Sequence, residues 1–306
     1  MNLDVEIIPF ENCYGDFVRK LLNETWKQTV NYPYNEKLIR IGTSEIPSAY
    51  IVVSKNKPIG FLSLWKNSFH PHSLYFIIII DRRYRKKGIG SFVFQYLQTL
   101  NIDLKKLQCS IYENSFAGDI FLKKIGFKLY RETIESRISS SIDSISQLNE
   151  VESFKTTIKS IDEGIPENEF ADFLKLVKYV YSESHRDNPP GDFAIETWEN
   201  LVNIGLIKSG SYLINFEGKV IAFALLHESD ESSYDLGWRG ISPDFDLQRS
   251  FLIKTLTTRQ LVYAKQNNVE WLNVEIDSTD RCSMSILNEF QFNIGAKWLS
   301  YQKSYD

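Results

Sequence analysis

The chain lacks much that would narrow its role at once. Its three cysteines, Cys13, Cys109 and Cys282, are scattered, odd in number and without a Cys-x-x-Cys pair. That excludes a disulfide framework and points to a reducing compartment, so the cytoplasm is the expected location. Only four histidines are present. His70 and His72 have the spacing of half a metal site, yet no cysteine stands near them, and a solvated loop with no metal is the plainer reading. No apolar run reaches the length that spans a bilayer, and Met1-Asn2-Leu3-Asp4 does not open a signal peptide. Neither charge sign dominates: 35 Lys and Arg stand against 39 Asp and Glu, a net charge of −4. That leaves no basic footprint for nucleic acid or an anionic membrane, and neither is expected as a partner. A chain of 306 residues, 43% hydrophobic, can bury a sizeable core and make two domains.

The most informative segment present is Arg85-Lys86-Lys87-Gly88-Ile89-Gly90, directly behind the apolar run Leu74–Ile80. The run reads as a buried strand, and Ser91–Leu97 as the helix that follows. A strand, glycine loop and helix in succession aim backbone N–H groups and a helix N-terminus at one spot, which suits a pyrophosphate. Gly88 and Gly90 let the loop curl with no Cβ in the way, and the three basic residues add positive charge. A tight turn with solvated basic residues is the competing reading. Upstream, Tyr50–Val53, a turn at Lys55–Pro58 and Ile59–Leu64 read as a hairpin; downstream, Leu107–Tyr112 reads as a strand before a helix ending at Ile125-Gly126-Phe127.

The order of these blocks over most of residues 1–135 resembles the GNAT superfamily of N-acetyltransferases. The resemblance implies an α/β (α+β) fold, a mixed and mostly antiparallel twisted sheet flanked by helices. It implies acetyl-CoA as cosubstrate, held by Ile78, Ile80, Arg85, Lys86, Lys87, Gly88, Ile89, Gly90 and Ser91, with Asn114, Ala117 and Phe121 from the following block. Strands four and five of such domains splay, and the pantetheine arm lies between them. A backbone N–H near Ile80 would then face the thioester oxyanion.

The chemistry implied is attack of a primary amine, on a small molecule or peptide, on the thioester. Such an amine has a reference pKa of about 10.4 and must first lose a proton. Many relatives place a tyrosine where this chain has Phe121-Leu122, and Tyr75–Ile80 offers no carboxylate. Glu113 is the nearest candidate base, or else a solvent residue at a strand end. Tyr112 points to the opposite face and either packs or donates. Positioning then carries much of the catalysis. A non-catalytic acyl-CoA-binding or scaffold protein is the alternative, and a tRNA-dependent aminoacyl ligase of two such domains a third.

The second half repeats the first. Tyr50–Leu64 and Tyr212–Leu226 align without gaps as two-stranded hairpins, and Phe251–Gln266 reads as an amphipathic helix before a strand at Trp271–Ile276 and a short helix at Ser283–Glu289. The expected division is one domain over residues 1–148, which alone would still bind acetyl-CoA but lose most acceptor turnover, and a second over 149–306, with the serine-rich stretch from Ser139 to Asn149 between them. The loop after Gly240-Ile241-Ser242-Pro243 has no glycine and carries Asp244 and Asp246, so the second domain is expected to have lost the cofactor. The form resembles tandem acetyltransferases of the mycothiol-synthase type. Two such domains in one chain could pair as a pseudo-dimer, leaving a monomer or weak dimer in solution. The loops Asn31–Asn35 and Ser184–Asp192 are candidates to line acceptor sites, with Asp187 and Asp192 available to a cationic amine.

Overall fold

The computed structural model describes residues 4–25, 49–100, 105–141, 156–230 and 232–305. In chain order they form β1 (Glu6–Pro9), α1 (Gly15–Thr25), β2 (Ala49–Ser54), β3 (Lys57–Lys66), β4 (Leu74–Ile80), α2 (Ile89–Thr99), β5 (Lys106–Tyr112), α3 (Phe116–Lys124) and β6 (Lys128–Ser139). There follow β7 (Thr156–Ser160), α4 (Glu167–Ser184), α5 (Ile195–Asn203), β8 (Tyr212–Phe216), β9 (Lys219–Asp230), β10 (Ser233–Ile241), α6 (Arg249–Gln266), β11 (Trp271–Asp277), α7 (Arg281–Glu289) and β12 (Asn293–Ser304). No helix among the described residues is long and apolar enough to cross a membrane.

Two compact units result, residues 1–130 with 299–306, and residues 131–298. The sequence reading sets one boundary at 148/149, which lies outside the described residues. The units depart from that division because each is completed by a strand from the other half of the chain. In the first unit the strand order is β1-β2-β3-β4-β5 with the end of β12 beside β5. In the second, β6 from Arg131 onward pairs antiparallel with β11, Ile134 opposite Ile276 and Ile138 opposite Leu272. Pairing between residues so far apart in sequence leaves no local signal.

The duplicated hairpins are alike in detail. Lys55 and Asn56 between β2 and β3, and Glu217 and Gly218 between β8 and β9, all have positive φ. That makes both connections two-residue turns of the kind that matches strand twist. Each hairpin also shifts register at the same place, after Val52 and after Ile214. β4 then runs antiparallel to β3 and parallel to β5, as β10 does to β9 and β11.

In the first unit, Val18, Leu21 and Leu22 of α1 pack on Phe61, Ile77 and Ile79. The other face of the sheet buries Leu62, Phe76 and Leu107 under Val93 and Leu97 of α2 and Leu122 of α3. Gly126, with φ of 87°, turns the chain after α3 so that Phe127 meets Phe76 and Phe94 at 5.3 and 5.8 Å between ring centroids. In the second unit, Leu252, Ile253, Leu256 and Leu261 of α6 cover Leu272, Val274 and Ile276. α6 is not the amphipathic helix expected, since Thr257 and Gln260 are as fully buried as its leucines. It lies between strands β8–β11 and α7, which leaves it little solvent face.

Candidate active site

The first unit holds the geometry that the glycine loop requires. The N–H of Asp81, just past β4, donates to Ile59 O at 2.8 Å, so Ile79 and Ile77 address β3 in the same sense. Strand alternation turns the N–H groups of Ile78 and Ile80 to the opposite edge. There β5 pairs with β4 only at Leu74–Leu107 and Tyr75–Gln108. Beyond that point the strands part, and the N–H groups of Ile78 and Ile80 face the opening.

The loop at the open end is braced from within. The Asp81 side chain accepts from Arg83 N at 2.9 Å and from Arg83 Nη2 at 2.6 Å, and the Arg83 guanidinium holds its carboxyl below the usual carboxylate range. Arg85 donates Nε to Ile80 O at 2.7 Å, tying the loop to the last carbonyl of β4. Lys86 and Gly88 take φ of 60° and 81°, which curls the chain into α2. Phe92 N–H makes the first helical bond, to Gly88 O at 3.0 Å, so the N–H groups of Ile89, Gly90 and Ser91 form the open first turn. Arg85, Lys86, Lys87 and Gly88 are exposed, while Ile89 is buried in the core as an anchor. A Cβ on Gly90 would lie 3.3 Å from Phe121 Cε2, so the structure brings those two predicted residues together. Backbone amides, cationic side chains and an open strand edge converge here, and they fit an acyl-CoA.

The other predicted residues are more dispersed. Asn114 and Ala117 are exposed at the start of α3. Glu113 is exposed and makes no hydrogen bond or ion pair among the described residues. Tyr112 is buried, and its carbonyl accepts from Ser115 N at 2.9 Å. The loop Asn31–Asn35 lies outside the described residues. His70 is buried and His72 exposed, and no group of three His, Cys, Asp or Glu gathers among the described residues. Burial pushes the Cys109 and Cys282 thiols up to about 12.

Sequence reasoning passed over one group of side chains at the closed end of the splay. Registers β3–β4 and β4–β5 set Trp65, Tyr75 and Gln108 in one row, on the α1 side of the sheet. Trp65 and Tyr75 stack at 5.7 Å with planes 16° apart. Their nearly symmetric placement about the turn between β3 and β4 was the available signal. On the same side Ser110 Oγ meets Ser300 Oγ at 2.9 Å.

The second unit has the same splay and different contents. β10 and β11 pair only from Ser233–Trp271 to Asp235–Asn273. Ser242 N donates to Ile221 O at 2.7 Å, as Asp81 N does to Ile59 O, so Ile241 corresponds to Ile80 and Arg239 to Ile78. Arg239 is buried and donates to Thr257 Oγ1 at 3.0 Å and Gly237 O at 3.2 Å. Burial pulls its guanidinium down to about 10, with Asp280 opposing. Where the first unit has its loop, Asp246 binds Arg249 and, at 2.8 Å, Arg281. The site thus carries its own anion before α6. On the far side of the sheet Tyr181 stacks on His185 at 4.0 Å, and His185 Nε2 stands 4.0 Å from Asp277, which also binds Arg131 and Thr133. In the loop Ser184–Asp192, Asp192 pairs with Lys178 at 3.5 Å.

Comparison with known proteins agrees with this geometry. The model of the acetyltransferase (GNAT) family matches residues 16–127. A GCN5-related N-acetyltransferase from Sphaerobacter thermophilus superposes with a TM-score of 0.59 at 12% identity, covering 98% of this chain and 96% of that one. A tandem GNAT protein from the clavulanic acid biosynthesis pathway gives 0.56 at 12% identity and covers 98% of each chain. A GCN5-related N-acetyltransferase from Kribbella flavida gives 0.54 at 11%, covering 98% of this chain and 71% of that one. No curated protein matches. At these identities the likeness is one of fold. The family model thus matches less than half of the chain, residues 16–127, and the whole chain shares the fold of these solved structures, a tandem GNAT protein among them.

Proposed function

We propose that the chain is an N-acetyltransferase that moves the acetyl group of acetyl-CoA to a primary amine of a small molecule or peptide. The observation that carries this reading is the early end of β4–β5 pairing, with the braced loop Arg85–Gly90 at its open end. The N–H groups of Ile89, Gly90 and Ser91, with Arg85, Lys86, Lys87 and Gly88, receive the pyrophosphate. The pantetheine arm lies along Ile78 and Ile80, flanked by Asn114, Ala117 and Phe121. The N–H at Ile80 faces the carbonyl oxygen that gains charge as the amine attacks. Glu113 or a water it orders takes the ammonium proton before attack. The C–S bond of the tetrahedral adduct then breaks, and the departing CoA thiolate takes up the proton released by the new amide nitrogen, directly or through water, while Tyr112 packs on the opposite face of β5.

The second unit takes no cofactor in this proposal. Arg239 stands where Ile78 serves the first unit, and Asp246 lies where phosphate would come. One observation favours a non-catalytic acyl-CoA-binding protein instead: β4 offers no carboxylate toward the splay. Thiol release from acetyl-CoA over a panel of amines separates the two. Release above the rate without amine supports transfer; acetyl-CoA binding with no release over any amine refutes it.

A further inference from the structure

We infer that the second unit binds a free α-amino acid with an apolar side chain, in a cavity between the N-terminal end of α4 and the C-terminal end of α5. This goes beyond acyl transfer and does not rest on it. The cavity is lined by residues of the second unit, and none of them belongs to the loop Arg85–Gly90 or to the strands of either splay.

The walls are fixed by short-range ties. Ser160 N donates to Glu163 Oε1 at 2.9 Å and the Ser160 hydroxyl donates to the same oxygen at 2.7 Å, which braces the turn after β7. Ile161 N then donates to Ser211 O at 2.9 Å, tying that turn, with Ile161 and Ile165, to the start of β8. Beyond α5, Ile207 N donates to Leu226 O and Glu228 N to Gly205 O, both at 2.8 Å, so the segment that carries Leu206 and Lys208 is fastened to β9. Phe170 and Phe173 of α4, with ring centroids 5.9 Å apart, and Val202 of α5 supply the apolar floor. Phe173 and Val202 are 0% and 1% exposed. The cavity measures about 180 Å³. A cavity of about 150 Å³ admits benzene, so this one has room for a single aliphatic or aromatic side chain.

The chemistry follows from what stands at the rim. Glu199, Val202 and Asn203 are spaced to share one face of α5, and all three line the cavity together with Lys208. Glu199 is half-buried, while Asn203 and Lys208 are exposed, so the charges stand at the mouth and the rings below. Glu199 and Lys208 pair neither with each other nor with any third residue among the described residues. An α-amino acid carries an ammonium, a carboxylate and a side chain on one carbon. Its ammonium donates to Glu199, and its carboxylate accepts from Lys208 and from the Asn203 amide. The side chain then leaves water for Phe170, Phe173, Val202 and Leu206. A fatty acid or an alkylamine would match one of the two rim charges, and glycine would leave the floor to water.

The test uses the full chain. Leucine is titrated by calorimetry beside 4-methylpentanoate, which lacks the ammonium, leucinamide, which lacks the carboxylate, and glycine, which lacks the side chain. Leucine should bind at least tenfold more tightly than each of them. Glu199→Gln and Lys208→Gln should each weaken leucine about tenfold with the unfolding midpoint unchanged, since both side chains reach solvent. Glu196→Gln, on the same helix but outside the cavity, should bind leucine as the parent does. Absence of leucine binding, equal binding of glycine, leucinamide or 4-methylpentanoate, or leucine binding indifferent to both rim substitutions would overturn the inference. All of these outcomes are read without acetyl transfer, so the transfer reading stands or falls separately.

Discussion

Cutting the chain at residue 148 should destroy the first unit rather than release it. The cut removes the end of β12, the strand beside β5. Tyr301 is 1% exposed, packs in the core with Phe76, Phe94 and Phe127, and donates its hydroxyl to Asp119 of α3. Lys303 Nζ binds Ile125 O at 2.8 Å, and Tyr305 N binds Lys105 O at 2.9 Å. Deleting one large buried aromatic side chain costs about 3–5 kcal/mol. A domain has about 5–15 kcal/mol of stability in all. Losing Tyr301 with Leu299 and a row of strand hydrogen bonds should therefore leave residues 1–148 without a cooperative fold, and β5 as an unpaired edge. The check is urea unfolding and near-ultraviolet circular dichroism of that fragment, beside Tyr301→Ala in the full chain. The fragment should lack a cooperative transition and fail to bind acetyl-CoA. In the full chain, Tyr301→Ala should lower the midpoint of the first unit by the equivalent of about 3–5 kcal/mol. A fragment that unfolds cooperatively and binds acetyl-CoA like the full chain would refute the strand's role.

Arg85→Ala should weaken acetyl-CoA binding by about one to two orders of magnitude, because it removes a charge and a charge-assisted bond to Ile80 O; calorimetry reads it. Asp81→Asn should destabilise the same turn. Since Arg83 lowers the Asp81 carboxyl below its ordinary value of 3.8, that contribution is fully present above that value and fades as pH falls through the lowered one. Parent and variant should therefore differ in unfolding midpoint at pH 7 and converge in strong acid. Glu113→Gln should lower turnover most at low pH, where deprotonating the ammonium limits the rate; an unchanged pH–rate profile removes Glu113 from the reaction. Light scattering should give the mass of one chain, and an obligate oligomer would contradict that.

Elements with local causes were legible in the sequence. β4 is an unbroken apolar run closed by Asp81, and its bounds match the reading, Leu74 to Ile80. The hairpins were legible because each joins two apolar strands through a polar pair. Gly88 and Gly90 marked the loop through what a Cβ would obstruct. Hidden were features set by distant partners. β6 and β12 alternate apolar and polar residues weakly, and nothing near them tells which edge each will join. Arg239 gave no signal, since a guanidinium buried against Thr257 leaves no trace in sequence. The row of Trp65, Tyr75 and Gln108 needs the registers of three strands before it exists.

On the proposed function, one of the two like-folded units holds acetyl-CoA, at the loop Arg85–Gly90. Calorimetric titration of acetyl-CoA into the full chain, beside Gly90→Glu, decides this. The substitution places a carboxylate in the open first turn of α2 and a Cβ 3.3 Å from the Phe121 ring. One molecule should bind per chain, and none in Gly90→Glu. Two equivalent sites, or undiminished binding in Gly90→Glu, would place acetyl-CoA elsewhere.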